Sequence, residues 1–189
     1  MKSLRKNRLA LSTVVTTLII LVVSVLLAGV VTYFAINVTS TRVQEENLAM
    51  TKQHIWNNQT ISLGAIMIIN TGGRDVVISK AAVRGQASDW ANVYYSITSG
   101  AIAGDFQFNR TVCDATGATV NATVGTTQYN FTKGTSNQNL VLPSGQTMLK
   151  YIKTPDSISV NDIGLTVAIT IFSSQAMYYK ETNVEAAIS

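Results

Sequence analysis

Between Leu11 and Ile36 the chain carries no Asp, Glu, Lys or Arg, and its polar side chains there are the hydroxyls of Ser12, Thr13, Thr16, Thr17, Ser24, Thr32 and Tyr33. This run of about 26 residues exceeds the roughly 20 that a helix needs to cross the hydrocarbon core of a bilayer. A helix also satisfies every backbone amide within the segment, as lipid requires. The basic stub Met1-Lys-Ser-Leu-Arg-Lys-Asn-Arg-Leu-Ala10 precedes the run, and the residues beyond Asn37 are its cargo.

Of the 189 residues, the roughly 130 beyond this helix and its continuation suffice for one compact domain and not comfortably for two. The net charge is +4, from 14 cations and 10 anions. Lys2, Arg5, Lys6 and Arg8 account for the whole excess, because without them the cations and anions balance. The body of the chain therefore has no nucleic-acid footprint. A single cysteine, Cys113, rules out an internal disulfide.

The stub can be read in three ways. A secretory signal has an apolar core of about 7–15 residues before its cleavage site, and this run is too long. A signal anchor fits better, with four cations holding the N-terminal flank in the cytoplasm while the C-terminal domain goes out. In the third reading the cut falls between Ala10 and Leu11, and the apolar helix stays on the mature protein.

The segment Arg8-Leu-Ala-Leu-Ser-Thr-Val-Val-Thr-Thr-Leu-Ile-Ile-Leu-Val-Val-Ser-Val-Leu-Leu-Ala28 resembles the N-termini of archaeal type IV pilin-like proteins, a family that includes adhesion pilins and archaellins. A short basic leader abuts a Ser-containing apolar helix in both. The resemblance implies that residues 1–10 are a class III signal peptide removed by a prepilin peptidase. It also implies that an assembly ATPase and a platform membrane protein draw the subunits from the cytoplasmic membrane into an extracellular pilus. The bacterial branch usually has Glu at the fifth mature position, where this chain has Val15. That departure points to the archaeal branch.

Assembly is also expected on physical grounds. In a filament core, identical helices bury apolar faces against one another, so a helix there can be apolar all round. Val14, Val15, Leu18, Leu21, Val22, Val25, Leu26 and Gly29 are the candidate polymerisation residues, and Ser24, Ala28, Gly29 and Thr32 would let helices approach closely. Gly29 costs about 1 kcal/mol relative to Ala and could mark a bend. The plainer alternative is that these residues decorate a lone transmembrane anchor. Past Asn37, Ile36, Val43 and Met50 recur at seven-residue spacing, as do Leu48 and Ile55. These spacings predict one helix over residues 11–56, roughly 65–70 Å long.

From Thr60 onward the period shifts toward two and β-branched residues dominate. Ile61–Ile69, the turn Asn70-Thr-Gly-Gly-Arg-Asp75 and Val76–Arg84 read as a hairpin whose glycines supply positive φ. Further strands are expected at Val93–Thr98, Phe106–Val112, Gln128–Thr132, Leu140–Leu142, Thr147–Lys153, Gly164–Phe172 and Met177–Ala187, with no second helix. Residues 99–139 are less patterned and rich in Thr, Asn, Gly and Ala. The expected architecture is α+β: one long N-terminal hydrophobic helix followed by an antiparallel β-sandwich over residues 57–189. The glycine turns and paired terminal strands resemble the Ig-like head domains of the same family.

Signs of catalysis or cofactor binding are sparse. His54 reads as a packing or solvent residue, Cys113 as a small buried one, and Asp156 and Asp162 as solvated carboxylates. No cysteine pair or second histidine offers a metal site of familiar spacing, and the glycines lie in no phosphate-loop frame. Asn-X-Ser/Thr acceptors occur at Asn37, Asn58, Asn109, Asn121 and Asn130. In an exported chain, Asn58, Asn109, Asn121 and Asn130 are the glycosylation candidates. The expected protein is thus a non-enzymatic, cofactor-free filament subunit whose partner is itself, serving adhesion. An archaellin of the same architecture, or a monomeric signal-anchored surface protein, are the alternatives.

Overall fold

The computed structural model describes residues 3–187, with the side chains of 3–11 and 41–44 outside the description. The chain divides into two compact units, 1–43 and 44–189. The first is one helix, α1 (Ser3–Gln44), unbroken through Gly29. No Pro interrupts it, and the Ser24 and Thr32 hydroxyls donate to the Ile20 and Ala28 carbonyls at 2.7 and 2.8 Å. The helix is therefore not melted at Gly29.

The helix stops twelve residues short of Trp56, and Leu48–Asn57 forms strand β1. The seven-residue spacing of Leu48 and Ile55 suggests one face of a helix. In a regular strand an odd spacing puts two residues on opposite faces. A β-bulge resolves the conflict, because Thr51 pairs with Met67 and His54 with Ala65, so three steps on β1 match two on its partner. Lys52, at φ +53°, sits within it. Leu48, Met50 and Ile55 thereby join one core.

The second unit continues with β2 (Ser62–Asn70), β3 (Val76–Val83), β4 (Gln86–Ser88), β5 (Val93–Thr98), α2 (Arg110–Asp114), β6 (Thr119–Val124), β7 (Thr127–Lys133), β8 (Leu140–Leu142), β9 (Thr147–Lys153), β10 (Thr166–Ser173) and β11 (Met177–Ala186). Short 3-10 turns occupy Trp90–Asn92 and Val160–Asp162. The strands hydrogen-bond in the order β4-β3-β10-β11-β1-β2-β9-β5-β7-β6, with β8 on β3. Every pairing is antiparallel except β1 with β11, whose Val184–Ala186 runs parallel to Ile55–Asn57. The unit is α+β and mostly antiparallel, as expected.

Strands β2 and β9 are buried on both faces. Ile66, Ile68, Met148 and Ile152 share a core with Ile78 and Val83 of β3 and Ile169 and Ile171 of β10, strands that do not pair with β2 or β9. The two layers therefore meet face to face. On the opposite face Leu63, Ala65, Met67, Leu149 and Tyr151 pack with Phe131, Val120, Val124, Phe106 and Val112. Each Val, Leu, Ile, Met or Phe among these contributes about 1.5–3 kcal/mol by leaving water.

Three further expectations are corrected. First, β2 and β3 form no hairpin, because β1 and β9 take both edges of β2. The Asn70 amide donates to the carbonyls of Arg74 (2.8 Å) and Leu142 (3.0 Å), which directs the turn into the second layer. Gly72 serves close approach here, since a Cβ would lie 2.5 Å from the Glu45 carbonyl oxygen. Second, Phe106–Val112 is no strand: the Asn109 side chain accepts from Val112 N at 3.3 Å and caps α2, a helix the periodicity does not show. Third, β4 and β6 are strands beyond those the alternation predicts. β3 and β4 join through Arg84-Gly85, both at positive φ as a tight hairpin turn demands.

Lys150 lies on the inner face of β9, fully buried, with no hydrogen-bond partner for Nζ among the described residues. The Trp90 ring, 4.5 Å from that nitrogen, offers a partial substitute for water. Burial pushes the ammonium down to about 7. Since an unfolded lysine titrates at ~10.4, the unfolded chain binds more protons between those values, and stability rises with pH from about 7 to about 10. Below about 7 the full cost of the buried cation is present. Lys150→Met should remove this slope and raise stability at neutral pH by about 1–3 kcal/mol, measured by urea denaturation of parent and variant at about pH 6 and about pH 9.

Candidate assembly helix and surface sites

The candidate polymerisation residues sit together on α1. At 100° per residue, Val14, Val15, Leu18, Leu21, Val22, Val25, Leu26 and Gly29 fall within an arc of about 140°. All are exposed in the single chain, Val25 and Leu26 at 64% each. By the same arithmetic Thr13, Thr17, Ser24, Ala28 and Ala35 fall within about 60° beside that arc, the nearest of them about 20° from Leu21, with Val31 among them. The remaining faces carry Ile19, Ile20, Val23, Leu27, Val30 and Phe34, also exposed. Over Ser12–Ser40 the helix is long and apolar enough to cross a membrane, and its side chains there are exposed. The Thr16 and Thr17 hydroxyls donate to the Ser12 and Val14 carbonyls at 2.8 and 2.9 Å. Hydroxyls satisfied within their own helix can enter lipid or a packed helix core without a further partner. The Ala10–Leu11 bond lies within α1, and both side chains are outside the description.

In the β-unit, His54 lies on β1. Its ring stacks on Trp56 at 5.0 Å, with Nε2 3.2 Å from Asp105 and Nδ1 3.3 Å from Glu185. The carboxylates meet opposite edges of the ring, so they cannot join one nitrogen around a shared metal ion. Lys52, two residues earlier, donates to the carbonyls of Ile102 (2.8 Å), Ala103 (3.1 Å) and Gly104. The bulge of β1 thus anchors the segment after β5. No local residue pattern marks that anchor, since a bulge is set by pairing register. Asp162, expected as a solvated carboxylate, is instead buried. It accepts from Ser159 N (2.7 Å) and Oγ (2.8 Å) and from Arg84 (2.7 Å), and these bonds, the Ser159 backbone first, hold its carboxyl below the usual range.

The acceptor asparagines fall into two groups. Asn58 is half-buried and accepts from Ile61 N at 3.0 Å, and Asn109, also half-buried, caps α2. Asn121 and Asn130 are exposed and directly paired across β6 and β7. Asn37 is exposed on α1.

Cys113 is buried in α2, and burial pushes its thiol up to about 11. A thiol held in its neutral form is a poor nucleophile. Among the described residues, no group of three or more His, Cys, Asp or Glu is placed to hold a metal ion. Alkylation by iodoacetamide near neutral pH should be negligible in the folded chain and complete in guanidinium, read by intact mass. Rapid labelling of the folded chain would show that α2 opens readily. Compared with known protein families and with curated proteins, the sequence matches none of either.

Proposed function

We propose that this chain is a structural subunit of a type IV-like pilus, an adhesion pilin that polymerises through α1 and carries its β-unit on the filament surface. One observation carries the reading: over Ser12–Ser40 the helix presents exposed apolar side chains on every face. The small arc from Thr13 to Ala35 adjoins the bulky one at Leu21. Small side chains there let an identical helix approach closely, and such a contact repeated head to tail continues into a filament. In this reading residues 1–10 are the leader cut by a prepilin peptidase at Ala10/Leu11. An assembly ATPase and a platform membrane protein lift the subunit from the cytoplasmic membrane to the cell exterior. The β-unit serves as an Ig-like sandwich head, a view supported by the packing of β3 and β10 on β2 and β9. The β5-β7-β6 extension and α2 are additions to such a sandwich.

The mature N-terminus tests the reading. Mass spectrometry of surface material should find a chain starting at Leu11, whereas an intact Met1 or Lys2 would leave a signal-anchored monomer. Val22→Asp and Val25→Asp should abolish filaments, because an unpaired charge in a helical core costs several kcal/mol. Ala28→Leu separates the classes more sharply: it keeps the helix apolar, so a lone anchor would tolerate it, but it fills the small arc and should block assembly seen by electron microscopy. Loss of swimming on deletion of the chain would favour an archaellin over an adhesion pilin.

A further inference from the structure

Asn121 and Asn130 occupy one register position, directly opposite each other on β6 and β7. Their sequon threonines, Thr123 and Thr132, face the same way and are exposed, while Val120, Ala122, Val124 and Phe131 point into the core. No side-chain hydrogen bond among the described residues engages either asparagine, unlike Asn58 and Asn109. The second observation concerns the edge. β6 ends the sheet order, and over Thr119–Val124 it has no charge and no Pro, and its register with β7 is unbroken by a bulge. Exposed edges are normally blunted by one of those devices, or by being very short, as β4 is at three residues. β6 has none of these, and its cover among the described residues comes from α2, which packs beside it, and from the Asp105 carbonyl, which accepts from Gly125 N at 2.9 Å just past its end.

We propose that Asn121 and Asn130 form a single, mutually exclusive N-glycosylation site, carrying one glycan per hairpin, which shields β6, the last strand of the sheet. This rests on the export of the chain as a pilin. In the transfer, the amide Nδ2 attacks the anomeric carbon of an oligosaccharide carried on a lipid phosphate. The C–N bond forms as the C–O bond to phosphate breaks, the phosphate leaves with the bonding electrons, and the amide proton passes to a base of the transferase. Residues opposite one another in an antiparallel pair have Cβ atoms about 4.5–5.5 Å apart. A sugar on one asparagine therefore stands where the transferase must seat the other.

Trypsin leaves both asparagines on one peptide, Thr111 to Lys133, because no Lys or Arg lies between Arg110 and Lys133. Mass spectrometry of that peptide, from chain isolated from the surface of its own cells, should find one glycan, distributed between the two positions. Asn121→Gln should bring Asn130 to full occupancy, and Asn130→Gln should do the same for Asn121. The double variant should be bare and self-associate in light scattering, with solubility restored by adding Thr119→Lys. Two glycans on one parent peptide would overturn the exclusion, and a bare peptide on surface-exposed chain would overturn the site while leaving the pilin reading intact. A chain retained in the cytoplasm would overturn both.

Discussion

The β-unit depends on the pairing of β2 with β9 over seven register positions, Leu63–Ile69 against Lys153–Thr147, with both faces of both strands out of water. An antiparallel pair with one wet face needs one covering layer, and this pair needs two. The covering strands come from distant parts of the chain. β3, β10 and part of β11 close one face, while β6, β7, α2 and the Phe106–Phe108 segment close the other. The turn after β2 must therefore leave its own layer, and a local hairpin to β3 would have stripped the first face of its cover.

The same demand explains the bulge in β1. β1 flanks β2 on one edge and meets β11 only at its far end, through Ile55–Asn57. Along its first half the seam is held by side chains: Gln53 Nε2 donates to the Glu181 carbonyl at 3.3 Å, Thr182 Oγ1 to the Gln53 carbonyl at 3.1 Å, and Tyr178 to the Glu46 carbonyl at 3.3 Å. The extra residue at Lys52 turns the strand enough to serve both regimes, since bulges bend a strand and raise its local twist. It also frees the Lys52 ammonium to gather three successive carbonyls from the segment after β5.

How much of this is legible in the residues depends on where each signal is local. α1 is legible because absence of charge over Ser12–Ser40 is a property of the segment itself. β5, β8 and β9 lie at the expected positions, and β7, β10 and β11 within two residues of them, because alternation of β-branched and aromatic residues is local too. The expected helix over 45–56 fails because a bulge makes an odd spacing mimic a helical one. The expected strand over Phe106–Val112 fails because Asn109 caps the next turn, a sign hidden inside an aromatic run. Pairing partners, including the parallel β1–β11 contact, lie beyond periodicity, as they depend on which faces remain uncovered once the central strands are in place. Of the candidate sites, the arc on α1 comes from helix geometry alone. The opposition of Asn121 and Asn130 needs the register of β6 on β7.

The two units solve opposite problems with the same residue types. In the β-unit, Val, Ile and Leu are hidden by the chain's own layers, and even Lys150 is taken inside, its ammonium against the Trp90 face. Along α1 the same side chains are left uncovered, yet the hydroxyls of Thr16, Thr17, Ser24 and Thr32 turn back onto their own helix. A helix so finished asks nothing polar of its surroundings. Lipid and copies of itself meet that condition equally, so a subunit could pass from one to the other without making or breaking a polar bond at those positions. On the proposed pilin reading, direction must then come from shape, since small side chains beside a bulky arc let two helices come into close packing contact.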